Sequence, residues 1–526
     1  MPRGAKVINY YNDRYMGSLT AEECDILEQL IQLDEVNGCV PDLRHIIYDM
    51  YDSDVDEMID LMESGGNVLP MYEKKRGALR DDQTVGVALL YYARNAILGD
   101  SVGLGKTVET AGLMNLLKTE YGKVNKTFRY LFLTEKNLSS QVRKEMIKFT
   151  GDYVELIPSG ELRDIGKFLA NHPVGESLDY NVVGTHALFT TGAFLGWLEQ
   201  NRTTSGFPFD VLVVDESSVL GNTSTNITKG YKAIAKYFKR IIFLNATPFD
   251  TSLGIFYTQL SLLDPALLPT KENFNKEYCL MDYRGMYPKP TGKYKNQAQF
   301  KRLIGYRYFA RTRKSKGAEM KDCDGGILLS PLSSIQKEWL VRTQLNRMVY
   351  DCPSHLDPSI EFCIENVPKL GSLNELLTTK CKEADSILIF AHFKEAQICL
   401  SKWLSERGYS NRVLNGDTSN DDRQVIIDGF KRKDFRILIT NVQKGLNFGN
   451  CNYCIFYSYD PNPSKMIQFE GRTTREFDII GKNVYILCSL GQEYKRLTDV
   501  VKQRAKATSE MTNTDISVIM SILIGE

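Results

Sequence analysis

Short runs of β-branched and aromatic residues alternate along this chain with stretches of helical periodicity. Tyr130 to Thr134, Val182 to Gly184, Val211 to Val214 and Ile241 to Leu244 form one series of apolar runs. Ile387 to Ala391, Arg436 to Thr440, Cys454 to Tyr457 and Val484 to Cys488 form a second. Runs this short, separated by helical patterns, predict parallel strands flanked by helices on both faces. Two α/β lobes in tandem are therefore expected. Between Leu253 and Lys382 the pattern turns helical and loop-like, with basic content at Arg302 to Lys316, and reads as inserted helices. Residues 20–63 place apolar side chains such as Ile26, Leu27, Leu30 and Ile31 at helical spacing, and Ser64-Gly65-Gly66-Asn67 ends that stretch. The expected organisation is a helical accessory domain over 1–70, a first lobe over 71–265, a helical insertion over 266–382, a second lobe over 383–498 and a helical tail over 499–526.

Composition sharpens this picture in two places. The 526 residues exceed one ordinary domain, and 43% hydrophobic with 25% charged residues describes a chain that folds rather than one that stays disordered. No apolar run approaches the roughly 18 residues a membrane span needs, and the first residues do not form a signal-peptide core, so an intracellular location is expected. It would be the cytoplasm in a bacterial or viral setting and possible in the nucleus for a eukaryote. The formal net charge of zero hides an asymmetry, because residues 1–70 hold 15 acidic against 4 basic residues. That leader is a distinct acidic unit beside a modestly basic body, a balance compatible with phosphate-backbone binding. An autoinhibitory or partner-binding role is one reading of it, and a small solvated helical domain the other. Eleven scattered cysteines without an export signal read as reduced thiols, and the one CxxC, Cys451-Asn452-Tyr453-Cys454, has no second pair to complete a metal site.

The chemistry starts at Asp100-Ser101-Val102-Gly103-Leu104-Gly105-Lys106-Thr107. This octet reads as a phosphate-binding loop between a strand and a helix, with Asp100 where the pattern G-x-x-x-x-G-K-[ST] has its first glycine. Its glycines let backbone N–H groups close around phosphate oxygens, Lys106 would reach the β and γ phosphates, and the Thr107 hydroxyl would sit on Mg²⁺. The run from Thr107 to Lys118 supplies a helix whose dipole favours the anion. A second element, Val211-Leu212-Val213-Val214-Asp215-Glu216, is an apolar strand ending in two carboxylates. Nucleoside triphosphate hydrolysis needs one acid to hold the metal, assigned to Asp215, and one to position or deprotonate the attacking water, assigned to Glu216. Arg472 and Arg475 stand three apart in Gln468-Phe469-Glu470-Gly471-Arg472-Thr473-Thr474-Arg475, and on a helix that spacing puts both on one face. They read as arginine fingers or as solvated surface charges.

In this order the elements resemble the helicase-like ATPases of superfamily two, and within them the Swi/Snf-type DNA translocases, over about Leu79 to Leu497. That branch uses aspartate at the head of the phosphate loop, as Asp100 stands here. Leu79-Arg80-Asp81-Asp82-Gln83 resembles the glutamine motif, with Gln83 on adenine, although the usual preceding aromatic is missing. Leu131 to Phe149 is similar to motif Ia, Asn245-Ala246-Thr247-Pro248 to motif III, and Leu262 to Pro265 with Phe274 to the segment after it. Phe309-Ala310-Arg311-Thr312-Arg313-Lys314 resembles the basic strip before the second lobe. Ile387 to Ala391, Leu414 to Asp417 with Arg423, Gly445-Leu446-Asn447-Phe448 and Gln468 to Arg475 follow as the second-lobe motifs. One departure is Asp215-Glu216-Ser217-Ser218, where the family more often has histidine or glutamine in the fourth place, a residue that helps relay the ATP state toward motif III.

The resemblance implies two RecA-like lobes that close on ATP and Mg²⁺, with Lys106, Thr107, Asp215 and Glu216 from one and Gln468, Arg472 and Arg475 from the other. The nucleotide-binding set is Gln83, Asp100, Ser101, Val102, Gly103, Leu104, Gly105, Lys106, Thr107 and Gly445, with Thr107 and Asp215 on the metal. Backbone contacts to nucleic acid are implied for Thr134, Lys136, Thr185, His186 and Thr440. His186 reads equally as a packed imidazole, while Arg311, Arg313 and Lys314 form either a basic rim or a solvated face. The implied activity is a DNA-stimulated ATPase moving on a duplex, favoured because the segment between motifs III and IV is longer than in minimal RNA helicases. The rivals are a strand-separating DNA or RNA helicase and a degenerate scaffold, the latter opposed by the presence of every catalytic residue. With no appended chromatin-reading module visible, a bacterial or viral origin is expected.

Overall fold

The computed structural model describes residues 48–51, 74–77, 79–124, 126–175, 181–205, 208–248, 252–305, 307–311, 319–344, 346–442, 448, 451–473, 479–512 and 517–525. The chain divides into two compact units, the first ending at Arg311 and the second resuming at Thr312. The strands of the first are β1 (Tyr48–Tyr51), β2 (Lys74–Gly77), β3 (Asn95–Leu98), β4 (Tyr130–Thr134), β5 (Val154–Leu156), β6 (Asn181–Thr185), β7 (Val211–Asp215), β8 (Arg240–Leu244), β9 (Cys279–Asp282), β10 (Lys289–Tyr294) and β11 (Tyr308–Phe309). Those of the second are β12 (Met320–Lys321), β13 (Asp324–Ser330), β14 (Ile387–Phe390), β15 (Asn411–Leu414), β16 (Ile437–Thr440), β17 (Tyr453–Phe456), β18 (Ile479–Ile480) and β19 (Asn483–Ser489).

Each unit is built on one parallel sheet. The first runs β11-β3-β8-β7-β4-β6-β5 and the second β13-β19-β17-β14-β16-β15, with every neighbouring pair parallel. Tyr130 to Leu133 and Val211 to Val214 are fully buried, as parallel strands covered on both faces must be. All eight apolar runs are strands. In such sheets the functional groups gather beyond the carboxyl ends of the strands.

The stretch expected as a helical insertion differs. Besides helices it contributes the antiparallel hairpin β9–β10, the two-residue β11 that extends the first sheet beside β3, and β13, which pairs with β19 along seven residues. β11 ends at Phe309 opposite Leu98, so the chain leaves both strands in register and brings Arg311 to Asp100. Most of the acidic leader lies outside the described residues. Within it, Tyr48–Tyr51 is a strand paired antiparallel with Lys74–Gly77 rather than part of a helix.

In the second unit a buried lysine fixes the end of β17, from which the chain enters the helix Pro463–Glu470. Lys369 Nζ donates to Asp351 Oδ1 at 2.9 Å, to Glu493 Oε1 at 2.7 Å and to the Tyr457 carbonyl at 3.3 Å. Burial pushes the Glu493 carboxyl up, and the Lys369 charge opposes that shift. Replacing Lys369 by methionine would leave two buried carboxylates without their cation, and breaking a buried pair in this way costs about 3–5 kcal/mol. A matching loss is expected in the urea unfolding of the full chain.

Candidate functional site

The phosphate loop joins β3 to the helix Lys106–Gly122. Gly103 and Gly105 have φ of +88° and +93°, values that side-chain-bearing residues rarely adopt. At Gly105 a Cβ would also come within 2.6 Å of the Gln83 amide nitrogen. Because the helix begins at Lys106, its first N–H groups face the loop and favour an anion there. Lys106 Nζ donates to the Asp100 carbonyl at 2.6 Å. Gln83 does not present its amide freely to a base. Its Nε2 donates to the Leu104 carbonyl at 3.1 Å, and its Oε1 accepts from Arg80 N–H at 3.2 Å. Gln83 therefore braces the loop from behind, leaving one amide hydrogen for a nucleotide.

Asp100 and Arg311 take different places from those expected. Asp100 is wholly buried, and its carboxylate receives the Arg311 backbone N–H at 2.9 Å and Arg311 Nε at 3.1 Å. The same guanidinium pairs with Glu109 of the following helix and donates to the Asp82 carbonyl. Arg311 is 4% exposed, so it is not part of a basic rim for nucleic acid. Two carboxylates holding one arginine keep that charge indoors, and desolvation drives the Glu109 carboxyl well above the usual range. A Cβ at Gly86 would run into the Arg311 and Glu109 side chains, so the neighbouring helix leaves room for the pair. A sequence signal for this existed: Glu109 shares a helix face with the buried Leu113 and Leu116, where an acid needs a cation partner.

The acids stand at the carboxyl end of β7. Asp215 Oδ1 accepts from Glu216 N–H at 3.0 Å, and Asp215 Oδ2 accepts from the Thr134 hydroxyl at 2.9 Å. Glu216 holds φ +48°, a left-handed conformation uncommon outside glycine that re-aims its side chain at the strand end. Burial and the neighbouring Glu216 push Asp215 up to about 6, while Thr134 and the Lys106 charge pull the other way. Two adjacent carboxylates that repel each other beside a threonine hydroxyl and a phosphate loop form an oxygen donor set that fits a hard divalent cation. His186 Nε2 lies 2.7 Å from the Asp215 carbonyl and supports the same turn from β6.

Among the residues expected on nucleic acid, the three threonines are buried. Thr134 is fully buried, with its hydroxyl given to Asp215. Thr185 is buried as well, and Thr440 is fully buried with its hydroxyl accepting from Val442 N–H at 2.9 Å. His186 is buried, with its ring bonded to the Asp215 carbonyl. Lys136 is exposed, with an ion pair to the equally exposed Glu161 at 3.2 Å that water screens. Arg313 and Lys314 lie outside the described residues. Replacing Thr134 by valine is expected to cut turnover roughly tenfold, from the loss of one hydrogen bond to a charged group. Affinity for nucleic acid and its salt dependence should stay unchanged, whereas a phosphate contact would lower both.

In the second unit the helix Pro463–Glu470 opens at the cap Asn462, whose side chain accepts from Ser464 N–H, and carries Gln468, which is buried. It stops before the arginines. Glu470 turns inward, accepting from Ser517 Oγ at 2.7 Å, Val518 N–H at 2.9 Å and Ile519 N–H at 3.0 Å, and so caps the helix Val518–Ile524. Arg472 then sits in a turn rather than on a helix, with its carbonyl accepting from Phe448 N–H at 3.0 Å. Its Nε is buried without a partner among the described residues. Arg475 and Gly445 lie outside the described residues, so the expected single helical face of Arg472 and Arg475 does not form through Arg472. Cys451 and Cys454 are buried, and among the described residues no three His, Cys, Asp or Glu side chains converge as a metal site. No described helix is long and apolar enough to cross a membrane.

Comparison with known proteins follows the same division. The SNF2-related domain matches residues 15–359 and the helicase conserved C-terminal domain residues 368–476, the first match beginning inside the acidic leader. The chain is 24% identical over 474 residues to chromodomain-helicase-DNA-binding protein 1-like of Mus musculus, covering 83% of this chain and 50% of the relative. It is 22% identical over 493 residues to DNA repair and recombination protein RAD54B of Mus musculus, covering 78% and 54%. It is 23% identical over 497 residues to ISWI chromatin-remodeling complex ATPase CHR11 of Arabidopsis thaliana, covering 84% and 44%. The chain thus spans about half the length of these relatives. With the SNF2-related match extending over well more than half its residues, and with a phosphate loop headed by aspartate answered by Asp215-Glu216 across one parallel sheet, the chain belongs to the SNF2-related family of helicase-like proteins.

Proposed function

We propose that this protein is an ATP-driven motor that translocates on double-stranded DNA. The observation that carries this reading is that the phosphate loop after β3 and the acids Asp215 and Glu216 at the end of β7 lie at the same, carboxyl edge of one parallel sheet, with β8 between their strands, within a chain of the SNF2-related family. In this reading the Gly103–Gly105 backbone cradles the phosphates and Lys106 neutralises the β and γ oxygens. Thr107 and Asp215 are the groups that would hold Mg²⁺, which when bound would supply positive charge to the phosphate oxygens. Glu216 orients the attacking water and takes its proton. On the second unit, Arg472, together with Gln468 and Arg475, is assigned the charge that develops on the transferring phosphoryl group. The DNA track draws support from the relatives, whose names give DNA binding and DNA repair. Lys136, exposed just after β4, is assigned a contact with the phosphate backbone.

Comparing ATP hydrolysis with duplex DNA, single-stranded DNA and RNA tests the reading. Duplex DNA should stimulate most, and strongest stimulation by RNA would replace the proposal with an RNA helicase. For the acidic leader we retain an autoinhibitory or partner-binding role. Neutralising Asp52, Asp54, Asp56 and Glu57 together should raise DNA affinity, and unchanged affinity and ATPase rate would remove that role.

A further inference from the structure

Between the catalytic turn and the loop after β8 lies one buried amide, Gln259 of the helix Leu253–Leu263. The Ser217 hydroxyl, one residue past Glu216, donates to Gln259 Oε1 at 2.6 Å. Asn245 Nδ2 reaches the same oxygen at 3.3 Å from the first position after β8. Gln259 Nε2 in turn donates to the Pro248 carbonyl at 2.9 Å, and Asn245 Oδ1 accepts from Thr247 N–H at 3.0 Å. Ser217, Asn245 and Gln259 are each at most 1% exposed.

Packing alone does not explain a glutamine there. Its helix buries Phe256, Leu260 and Leu263, and an apolar residue at 259 would fill the same face without the cost of burying an amide. The amide is tolerated because both of its ends are hydrogen-bonded, and those bonds run to two different loops. One loop carries Glu216, and the other is Asn245-Ala246-Thr247-Pro248. Ser218 stands where the resemblance noted above implies a histidine or glutamine. Here Ser217 makes the connection, and the long side chain comes from the opposite partner. A planar amide bonded at both ends cannot keep both sets of bonds if the two loops shift apart, so their positions are linked through a single group.

We propose that Gln259 is a positioning residue that couples the Glu216 turn to the Asn245–Pro248 loop, so that displacement of one during ATP turnover is passed to the other. This rests on the motor reading above. ATPase rates with and without duplex DNA would be measured for the wild type, Ser217→Ala, Gln259→Met, Gln259→Glu and the double variant Ser217→Ala/Gln259→Met. Each of Ser217→Ala and Gln259→Met should lower the DNA-stimulated kcat about fivefold or more, the range of ordinary coupling energies. KM for ATP should move less than about twofold, because nucleotide contacts are intact. The double variant should be no worse than Gln259→Met, since both changes cut the same connection. Gln259→Glu replaces the donor to the Pro248 carbonyl with an acceptor and should lose stimulation as Gln259→Met does. A mere packing defect would produce neither the kcat-only effect nor this non-additivity. Wild-type stimulation in Gln259→Met, or losses that multiply in the double variant, would overturn the coupling. If Gln259→Met does not fold, Ser217→Ala decides alone, and full stimulation in it overturns the proposal. A wild type that no nucleic acid stimulates would overturn the motor reading and the coupling together, whereas stimulated variants overturn the coupling only.

Discussion

Asp100→Gly, which restores the glycine that usually heads a phosphate loop, should destabilise the first unit by about 3–5 kcal/mol instead of improving nucleotide binding. The carboxylate it deletes is wholly buried and is the main counter-charge of a buried guanidinium. Arg311 would keep Glu109 but lose the Nε contact at 3.1 Å and the acceptor of its own backbone N–H at 2.9 Å. Removing one partner from such a cluster leaves desolvated charge and unsatisfied donors. The loop would suffer with it, because Lys106 Nζ rests on the Asp100 carbonyl, and a glycine there would free the backbone that places this oxygen. Urea unfolding and nucleotide affinity, measured on the same variant, should both fall. Asp100→Gly combined with Arg311→Met should lose less than the sum of the two single changes, because the second removes the stranded charge. Unchanged stability with tighter nucleotide binding would contradict this placement of Asp100.

Glu216→Gln should lower kcat by about 10²–10⁴-fold while leaving nucleotide affinity within a few-fold of the wild type. The amide keeps the shape of the side chain and its left-handed backbone at φ +48°, but it cannot take a proton from water. Repulsion from Glu216 is the second cause, after burial, of the raised Asp215 carboxyl. Neutralising Glu216 removes that repulsion, so the Asp215 carboxyl moves back down and stability should be unchanged or slightly higher. Steady-state ATPase rates beside nucleotide binding and thermal unfolding check all three points. A comparable loss of affinity would move Glu216 from water activation to ground-state binding.

What could be read from the sequence follows the range of the interactions. The eight apolar runs are strands because burial on both faces writes the same residue type at every position. β11 escaped because it has two residues, and β13 because its Asp324-Gly325-Gly326 start looks like a loop, although seven backbone pairings with β19 hold it. Lys106, Thr107, Asp215 and Glu216 stand out in the sequence because the patterns that suggest phosphate and metal chemistry are contiguous, and the structure sets them on a loop after β3 and at the end of β7. The Asp100–Arg311 pair joins residues 211 positions apart, and Gln259 meets Ser217 across 42 positions, so neither leaves a local pattern. Thr134 and Thr440 end their strands, and their hydroxyls bond Asp215 and the Val442 N–H, contacts that no local pattern announces. Arg472 was expected on a helix that ends instead at Glu470, where a buried carboxylate caps another helix.

Displacement of a third strand from a DNA triplex tests the motor claim most directly, because a translocase on the duplex strips that strand without separating the duplex. ATP should drive displacement with the wild type, and Glu216→Gln should abolish it while still binding the DNA. Displacement that proceeds equally without ATP, or ATP-dependent separation of the duplex strands with the triplex left in place, would contradict the account.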